Sequence, residues 1–478
     1  MVLGNTVAQL LGLCFLASRV CEATYDVVGV GPKAGNMTKL ETHASKTASL
    51  RVMSVPQLAA YQYFVERLKS KERVSAVALG GSCIVGIGCV EWKGRERQCA
   101  FPSRFYRWLS NKHYGRDDGI AYENRAVGGS TTAATLPMLP ITVADDSLAG
   151  STNNTRGVDM VFIDFSVNDA AVSHELFHVG NASFSQYDKV LAATEAELRY
   201  ILDFHPETAI LLMDGSCDAA SNAAHQAAAS VYGVAYLRVC GPGRHLSALG
   251  HETMKEAMVE WWNVFEKAVM DVKLGELTTS TNTSTELPTP PLHPITPVEL
   301  AAYFVVCAKP LTVYDAKAAY FGHGLVPIIT KGDWSLELDH NRTDRASWTS
   351  RVDGSMMEFP LKFGLVPRIA IIFTKGYDDT FGAVRVTMPD APSYGKNTQM
   401  IIHGCCDPNN VTQSELRVVH AGEAPQLRRL KGNSNFRFNQ EETHQERFAL
   451  LPYSAVTMRV TFLKESYGKF NIKYVASC

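Results

Sequence analysis

One segment of this 478-residue chain cannot belong to a folded core, and it divides what lies before it from what lies after. Fourteen of the 21 residues from Leu277 to Pro297 are Thr, Ser or Pro, and only four are large and apolar. Such a composition buries too little apolar surface to offset the entropy of ordering it, so it stays extended. Residues 276–299 are therefore read as a linker, and its hydroxyl-rich composition admits O-glycosylation. The chain must fold as two parts.

Before the linker, strand and helix patterns alternate. Ser54 with Gln57 reads as a capping box, with Pro56 in the first turn, and Leu58, Tyr61, Val65 and Leu68 then recur at helical spacing. Val74 to Leu79 and Val158 to Phe165 are apolar runs of strand length. A helix from about Ser185 to Leu202 precedes a strand from Ala209 to Met213. An Ala-rich helix from about Asp218 to Val231 precedes a strand from Val234 to Val239. Met254, Met258, Trp261, Phe265 and Val269 mark one face of a closing helix. This alternation predicts a parallel sheet covered on both faces, an α/β/α sandwich over residues 50–275.

After the linker the period changes. Arg368–Phe373, Ala383–Met388, Gln399–His403, Leu416–Val419, Arg447–Leu451, Thr457–Phe462 and Phe470–Val475 are short, rich in β-branched residues and separated by turns. They predict an antiparallel β-sandwich over residues 300–478. Trp334 and Trp348 are read as its core, sugar stacking being the alternative.

The bulk properties narrow the context. Lys and Arg number 46 against 48 Asp and Glu, a net charge of −2, so no basic surface points to nucleic acid or an anionic membrane. Ala8 to Ala17 is a short apolar run, and Cys21-Glu22-Ala23 offers small residues for cleavage after Ala23. Residues 1–23 are thus read as an export signal and 24–49 as an extension, with no membrane span in the mature chain. Six glycosylation sequons begin at Asn36, Asn153, Asn181, Asn282, Asn341 and Asn410. Together they predict a secreted, luminal or cell-surface glycoprotein. Of the cysteines left after cleavage, Cys89 with Cys99 and Cys217 with Cys240 are plausible local pairs, and Cys478 is expected to join Cys405 or Cys406. No Cys-x-x-Cys pair is present, and neither a metal nor a cofactor is expected.

Four segments carry chemistry. Gly80-Gly81-Ser82 follows the first strand. Asn124-Arg125-Ala126-Val127-Gly128-Gly129 forms a glycine turn. Ser166-Val167-Asn168-Asp169 follows the second apolar run, and His245 to His251 follows the last strand. Acyl transfer to water needs a nucleophile, a base and donors aimed at the oxyanion. Ser82 supplies a hydroxyl, His245 a base, and the Ser82 and Gly128 backbone N–H groups and the Asn168 amide supply donors. Each has a structural alternative: a turn serine, a helix cap, a surface histidine. His251 and Asp169 are read as structural, Cys83 as buried or disulfide-bonded, and Arg428 to Lys431 as a solvated turn.

In this order the four blocks resemble those of the SGNH (GDSL-like) hydrolases, over residues 74 to 270. The linker and β-rich tail resemble a secreted subgroup with a jelly-roll-like module. The resemblance implies a three-layer α/β/α, flavodoxin-like domain and a secreted ester hydrolase acting on acyl, above all acetyl, esters of glycans through a Ser82 acyl-enzyme. It also implies possible carbohydrate contact by the C-terminal domain. Three positions depart from the pattern. Gly81 stands where Asp precedes the nucleophile, Ser166 where Gly opens the asparagine block, and Pro242 where an Asp orients the base. Pro242 favours an alternative, a catalytically silent carbohydrate-binding or cell-surface protein. The enzyme reading survives either as a Ser–His dyad held by a backbone carbonyl or with an orienting carboxylate from elsewhere in the chain.

Overall fold

The structure is a computed structural model. It describes residues 53–92, 95–143, 157–171, 177–179, 182–216, 218–239, 245–272, 296–297, 300, 304, 310–339, 345–376, 380–391, 399–405, 412–420, 450–463 and 468–478. The export signal, the extension, nearly all of the linker, the six sequon asparagines, Cys217 with Cys240, Cys406, Pro242 and the Arg428–Lys431 turn lie outside these residues. No helix among the described residues is long and apolar enough to cross a membrane.

The contacts divide the chain into two compact units. The first comprises residues 1–126, 142–167 and 198–291, the second 127–141, 168–197 and 292–478. The first is built on strands β1 (Val74–Gly80), β2 (Ile120–Asn124), β3 (Met160–Asp164), β4 (Ala209–Asp214) and β5 (Ala235–Arg238). All four pairings are parallel, in the order β2-β1-β3-β4-β5. This is the doubly wound arrangement in which the strand order reverses between β1 and β3, and ligands bind such sheets at the carboxyl ends of those strands.

Alternate strand residues face opposite ways and both sets are buried. Ala76, Ala78, Met160, Phe162, Leu211 and Met213 share one core with helices α1 (Val55–Lys69), α3 (Phe101–Tyr114) and α8 (Ala248–Asp271). Val77, Leu79, Val161, Ile163, Ile210 and Leu212 point the other way and are equally inaccessible. Between α1 and α8 the chain also forms a turn α2 (Ser82–Val85), α4 (Thr132–Thr135), α5 (Ser166–Ala171), α6 (Gln186–Phe204) and α7 (Ala219–Tyr232). Met254, Met258, Trp261, Phe265 and Val269 are the buried stripe of α8, as their spacing predicts.

The capping box at Ser54 is only half formed. Ser54 Oγ accepts from Gln57 N at 3.4 Å, but the Gln57 side chain does not return to the Ser54 N–H, which donates to Gly233 O instead. Gln57 is fully buried. Its Nε2 donates to Thr208 O at 2.9 Å, and its Oε1 accepts from Ile210 N at 3.0 Å. The amide thereby satisfies two backbone groups at the start of β4, a stronger demand inside the protein than an exposed cap.

In the second unit every strand pair of the C-terminal region is antiparallel. The strands are β6 (Thr312–Asp315), β7 (Ile328–Lys331), β8 (Ser335–Leu338), β9 (Ala346–Ser350), β10 (Met356–Lys362), β11 (Arg368–Lys375), β12 (Ala383–Thr387), β13 (Gln399–His403), β14 (Gln413–His420), β15 (Ala455–Leu463) and β16 (Phe470–Ser477). One sheet runs β8-β9-β16-β11-β14 with β6 on β16, the other β13-β12-β15-β10-β7. Inward residues such as Phe359, Phe373, Val460, Phe462 and Ile472 fill the space between them. Trp334 and Trp348 are buried in that core. The strand expected at Arg447–Leu451 does not form over its described part, since Leu450 and Leu451 have no strand partner.

Replacing Gln57 by Ala leaves the Thr208 carbonyl and the Ile210 N–H unpaired in the interior, so Gln57→Ala is expected to lower stability by about 2–4 kcal/mol. Urea unfolding measures it. A loss below about 0.5 kcal/mol would mean that water replaces the amide.

Candidate active site

The Ser82 segment is fixed by a close approach of two strands. Gly80 pairs with Asp164 across β1 and β3, and a Cβ on Gly80 would lie 2.4 Å from the Asp164 carbonyl oxygen and 2.4 Å from Ile84 Cγ1. Gly81 N–H donates to the same carbonyl at 3.2 Å. Ser82 opens the helical turn α2 immediately beyond the sheet and is buried. The turn ends on Gly86, left-handed with φ 86°, and Ile87 N returns to Ser82 O at 3.1 Å.

The histidine segment packs directly on this turn. A Cβ on Gly88 would lie 2.3 Å from Leu246 O and 3.3 Å from the His245 Cβ. The Cys83 thiol is hydrogen-bonded to the Leu246 backbone and is pushed up to about 12, first by burial and then by the Asp164 carboxyl. The first unit thus brings the Ser82 and His245 segments together. His245 itself is exposed, one residue before the buried Leu246 and two before Ser247, which caps α8. Cys83 is buried and in no disulfide, so its structural reading holds. Cys89 and Cys99 form the expected disulfide, and Cys405 and Cys478 are each disulfide-bonded to partners outside the described residues. His251 is buried, stacks on Phe101 and accepts from Phe101 N at 3.3 Å. Burial, aided by Arg104, brings it down to about 4, so it is a neutral structural group at neutral pH.

Gly128 and Asn168 fall in the second unit. Gly128 is buried within a turn closed by Ser130 N–H on Val127 O at 3.0 Å. Gly129 takes the left-handed residue of that turn, φ 78°. Asn168 lies buried on α5. Its neighbour Asp169 accepts from Thr132 N at 3.0 Å and from Thr132 Oγ1 at 2.6 Å, which ties α5 to the end of the glycine turn. The structure therefore supports a bracing role for Asp169. From the sandwich, Ser414 N donates to Gly129 O at 2.8 Å, and Tyr474 Oη to Pro137 O at 2.9 Å.

Sequence reasoning missed several groups. Asn124 Nδ2 donates to Ile84 O at 2.6 Å, holding the nucleophile turn, while its Oδ1 accepts from Ala126 N and from Arg97. Two carboxylates end the central strands. Asp164 Oδ1 accepts from Ser166 N and Oγ at 3.0 and 2.7 Å, and its buried Oδ2 has no hydrogen-bond partner. Asp214 pairs with His225 Nδ1 at 2.5 Å and with the Tyr236 hydroxyl. A carboxylate ending each apolar strand run was the available signal. The string His174-Glu175-Leu176-Phe177-His178 also has the His-Glu-x-x-His spacing, which the sequence reading overlooked. The zinc form of that motif needs a helix, whereas Phe177–Val179 is a strand paired with Ala182–Phe184. Among the described residues no cluster fit for a metal exists.

Burial raises Asp164 to about 6, with the Asp214 carboxylate adding to the shift and the Ser166 hydrogen bonds and His225 opposing it. Between 3.8 and about 6 the folded protein keeps a proton on Asp164 that the unfolded chain releases. Stability from this group is therefore present at low pH and falls as pH rises through about 6. Asp164→Asn keeps the Oδ1 acceptor and removes the dependence. Relative to the parent it is expected to gain up to about 3 kcal/mol between about pH 4 and pH 7, read from Tm differences. Parallel curves for the two proteins would exclude Asp164 as the titrating group.

No protein-family model matches the sequence, and no curated protein matches it. Solved structures match the fold. A two-domain esterase active on acetylated mannans, co-crystallised with mannopentaose, aligns at TM-score 0.51 and 14% identity over 90% of this chain and 97% of its own. A family two carbohydrate esterase from Clostridium thermocellum in complex with cellohexaose aligns at TM-score 0.29 and 12% identity, over 40% of this chain and 64% of its own. An acetyl xylan esterase from the rumen bacterium Butyrivibrio proteoclasticus aligns at TM-score 0.31 and 12% identity, over 41% and 64%. With the sheet order and the near full-length match, the chain has the SGNH hydrolase fold followed by a C-terminal β-sandwich domain.

Proposed function

We propose that this chain is a serine ester hydrolase that removes acetyl groups from glycans. The observation that carries the proposal is the seating of the His245–Leu246 segment on the Ser82 turn, at the carboxyl edge of the sheet where the strand order reverses. The mannan-active esterase that shares the two-domain fold supports the substrate class by analogy.

Ser82 Oγ attacks the acetyl carbonyl and His245 takes its proton. The oxyanion of the tetrahedral intermediate is met by Ser82 N–H, with Gly128 N–H and the Asn168 amide as the further donors. Collapse expels the sugar hydroxyl, which receives the proton from His245, and leaves acetyl-Ser82. Water, deprotonated by His245, then attacks the acetyl-enzyme, and acetate leaves as Ser82 regains its proton. With Pro242 in the place of the orienting acid, a backbone carbonyl is the partner proposed for the second imidazole nitrogen.

The proposal extends to the rest of the chain: residues 1–23 as export signal, 24–49 as extension, 50–275 as catalytic domain, 276–299 as linker and 300–478 as sandwich domain, the whole secreted or displayed at the cell surface. The Cys89–Cys99 disulfide fits an oxidising compartment. Exposure of His245, with no acid at position 242 to hold it, favours a second reading: a silent carbohydrate-binding protein on the same fold.

Acetylated mannan and 4-nitrophenyl acetate separate the two. The enzyme reading expects Ser82→Ala and His245→Ala each to lower kcat/KM by at least about 10³-fold, with unchanged Tm. Equal background rates in parent and variants, across a panel of acetylated glycans, would establish the silent protein.

A further inference from the structure

A second concavity of the first unit opens between the turn Val90–Trp92, helix α3 and the start of α8, with a volume of about 400 Å³. Its size lies at the small end of ligand sites, which span roughly 300–1,000 Å³. Trp92 and Trp108 both line it and both are half-buried. Neither indole N–H has a hydrogen-bond partner among the described residues. Neither is among the buried unpartnered atoms, so both donors are open to solvent beside the two rings.

The polar groups around them fall into two kinds. Arg104 is locked: its Nε donates to Cys99 O at 2.7 Å, its Nη1 pairs with Glu252, and its guanidinium lies 5.6 Å from the Trp92 ring centroid. Lys255 Nζ takes the other Glu252 oxygen at 2.7 Å. With Glu256, which also pairs with Lys255, they form an internally neutralised wall. Arg107 is different. Its Nη2 donates to Gln98 O at 3.0 Å, and among the described residues no carboxylate pairs with it. The rest of its planar fork is available to a ligand.

Aromatic faces, indole N–H donors and an uncommitted guanidinium together suit a sugar ring. A pyranose offers an apolar C–H face for stacking, and vicinal hydroxyls or a uronate carboxylate for a two-pronged donor. We propose that this concavity is a glycan-binding subsite on the hydrolase unit, gripping one pyranose of a polysaccharide chain between Trp92, Trp108 and Arg107. Binding here needs neither Ser82 nor His245, so it stands independently of the catalytic reading.

Trp108 also packs on Phe105, with centroids 5.8 Å apart, so the test rests on Trp92 and Arg107. The full chain carrying Ser82→Ala is run through native gels containing β-mannan in one arm and a glucuronic-acid-bearing xylan in the other. The two arms separate hydroxyl recognition from carboxylate recognition. Retardation is expected in at least one arm, and Trp92→Ala and Arg107→Ala should each weaken it about tenfold or more. In the Ser82 background the same two substitutions should leave Tm and 4-nitrophenyl acetate hydrolysis unchanged. Undiminished retardation in both variants, or none in either arm, overturns the subsite. Retardation that depends on Trp92 in a chain without esterase activity would keep the subsite and remove only the catalytic reading.

Discussion

The hydrolase unit depends on how closely β1 and β3 approach at their carboxyl ends. Gly80 meets the Asp164 backbone with no room for a side chain, and Gly81 spends its N–H on the same carbonyl. The sheet therefore stops there, and Ser82 is the first residue released from it. Ile84 crowds the same glycine from the other side, so the chain turns helical at once. A residue with any side chain at position 80 would push the turn away from β3 and with it the hydroxyl on which an acyl-transfer site would rest. The departure from Asp to Gly at position 81 is also intelligible here, because the backbone N–H of that residue carries the bond that matters.

The same sheet edge holds two histidine environments with opposite prospects. His225 and Asp214 are 2.5 Å apart and look like a general base with its orienting acid. They are 1% and 0% exposed, so no substrate reaches them. Their work is internal: His225 and the Tyr236 hydroxyl satisfy the Asp214 carboxylate at the end of a buried strand. His245 is exposed on a short loop, and its neighbour Leu246 is hydrogen-bonded to Cys83 of the Ser82 turn. Access, rather than the quality of a hydrogen bond, separates the structural histidine from the candidate base.

Much of this was legible in the residues. Strands β3 and β4 are apolar runs up to their terminal aspartates, β1 is broken only by Ser75, and the stripe on α8 keeps a helical period over five buried residues. The order of the four blocks located Ser82 and His245 because each follows a strand, and the physics of a doubly wound sheet gathers strand ends at one edge. What escaped the reading lacked a local signature. Helix α3 is an exception, since Phe101, Phe105, Tyr106 and Leu109 keep a helical stripe and only the polar residues between them hid it. Strand β7 is exposed, and the alternation of β8 lasts only from Ser335 to Leu338. Gln57 had a plausible local partner in Ser54, and only the tertiary fold supplies the backbone groups, 151 and 153 residues away, that claim its amide. Asp164 and Asp214 were passed over because burial makes a carboxylate consequential, and burial is not written in the residue.

The hydrogen bond from Ser414 to Gly129 gives the sandwich a duty that its place in the chain hides. Sequence order presents it as a detachable module behind a Thr/Ser/Pro separator. Yet strand β14 grips the turn that carries Gly128, and β16 reaches Pro137 a few residues on. Severing the polypeptide at the separator would cut one covalent bond and also strip the backing from the glycine turn. The sandwich therefore forms one compact unit with residues 127–141, which precede the separator in the chain. Grafting a different module in its place would exchange a structural part, not an accessory.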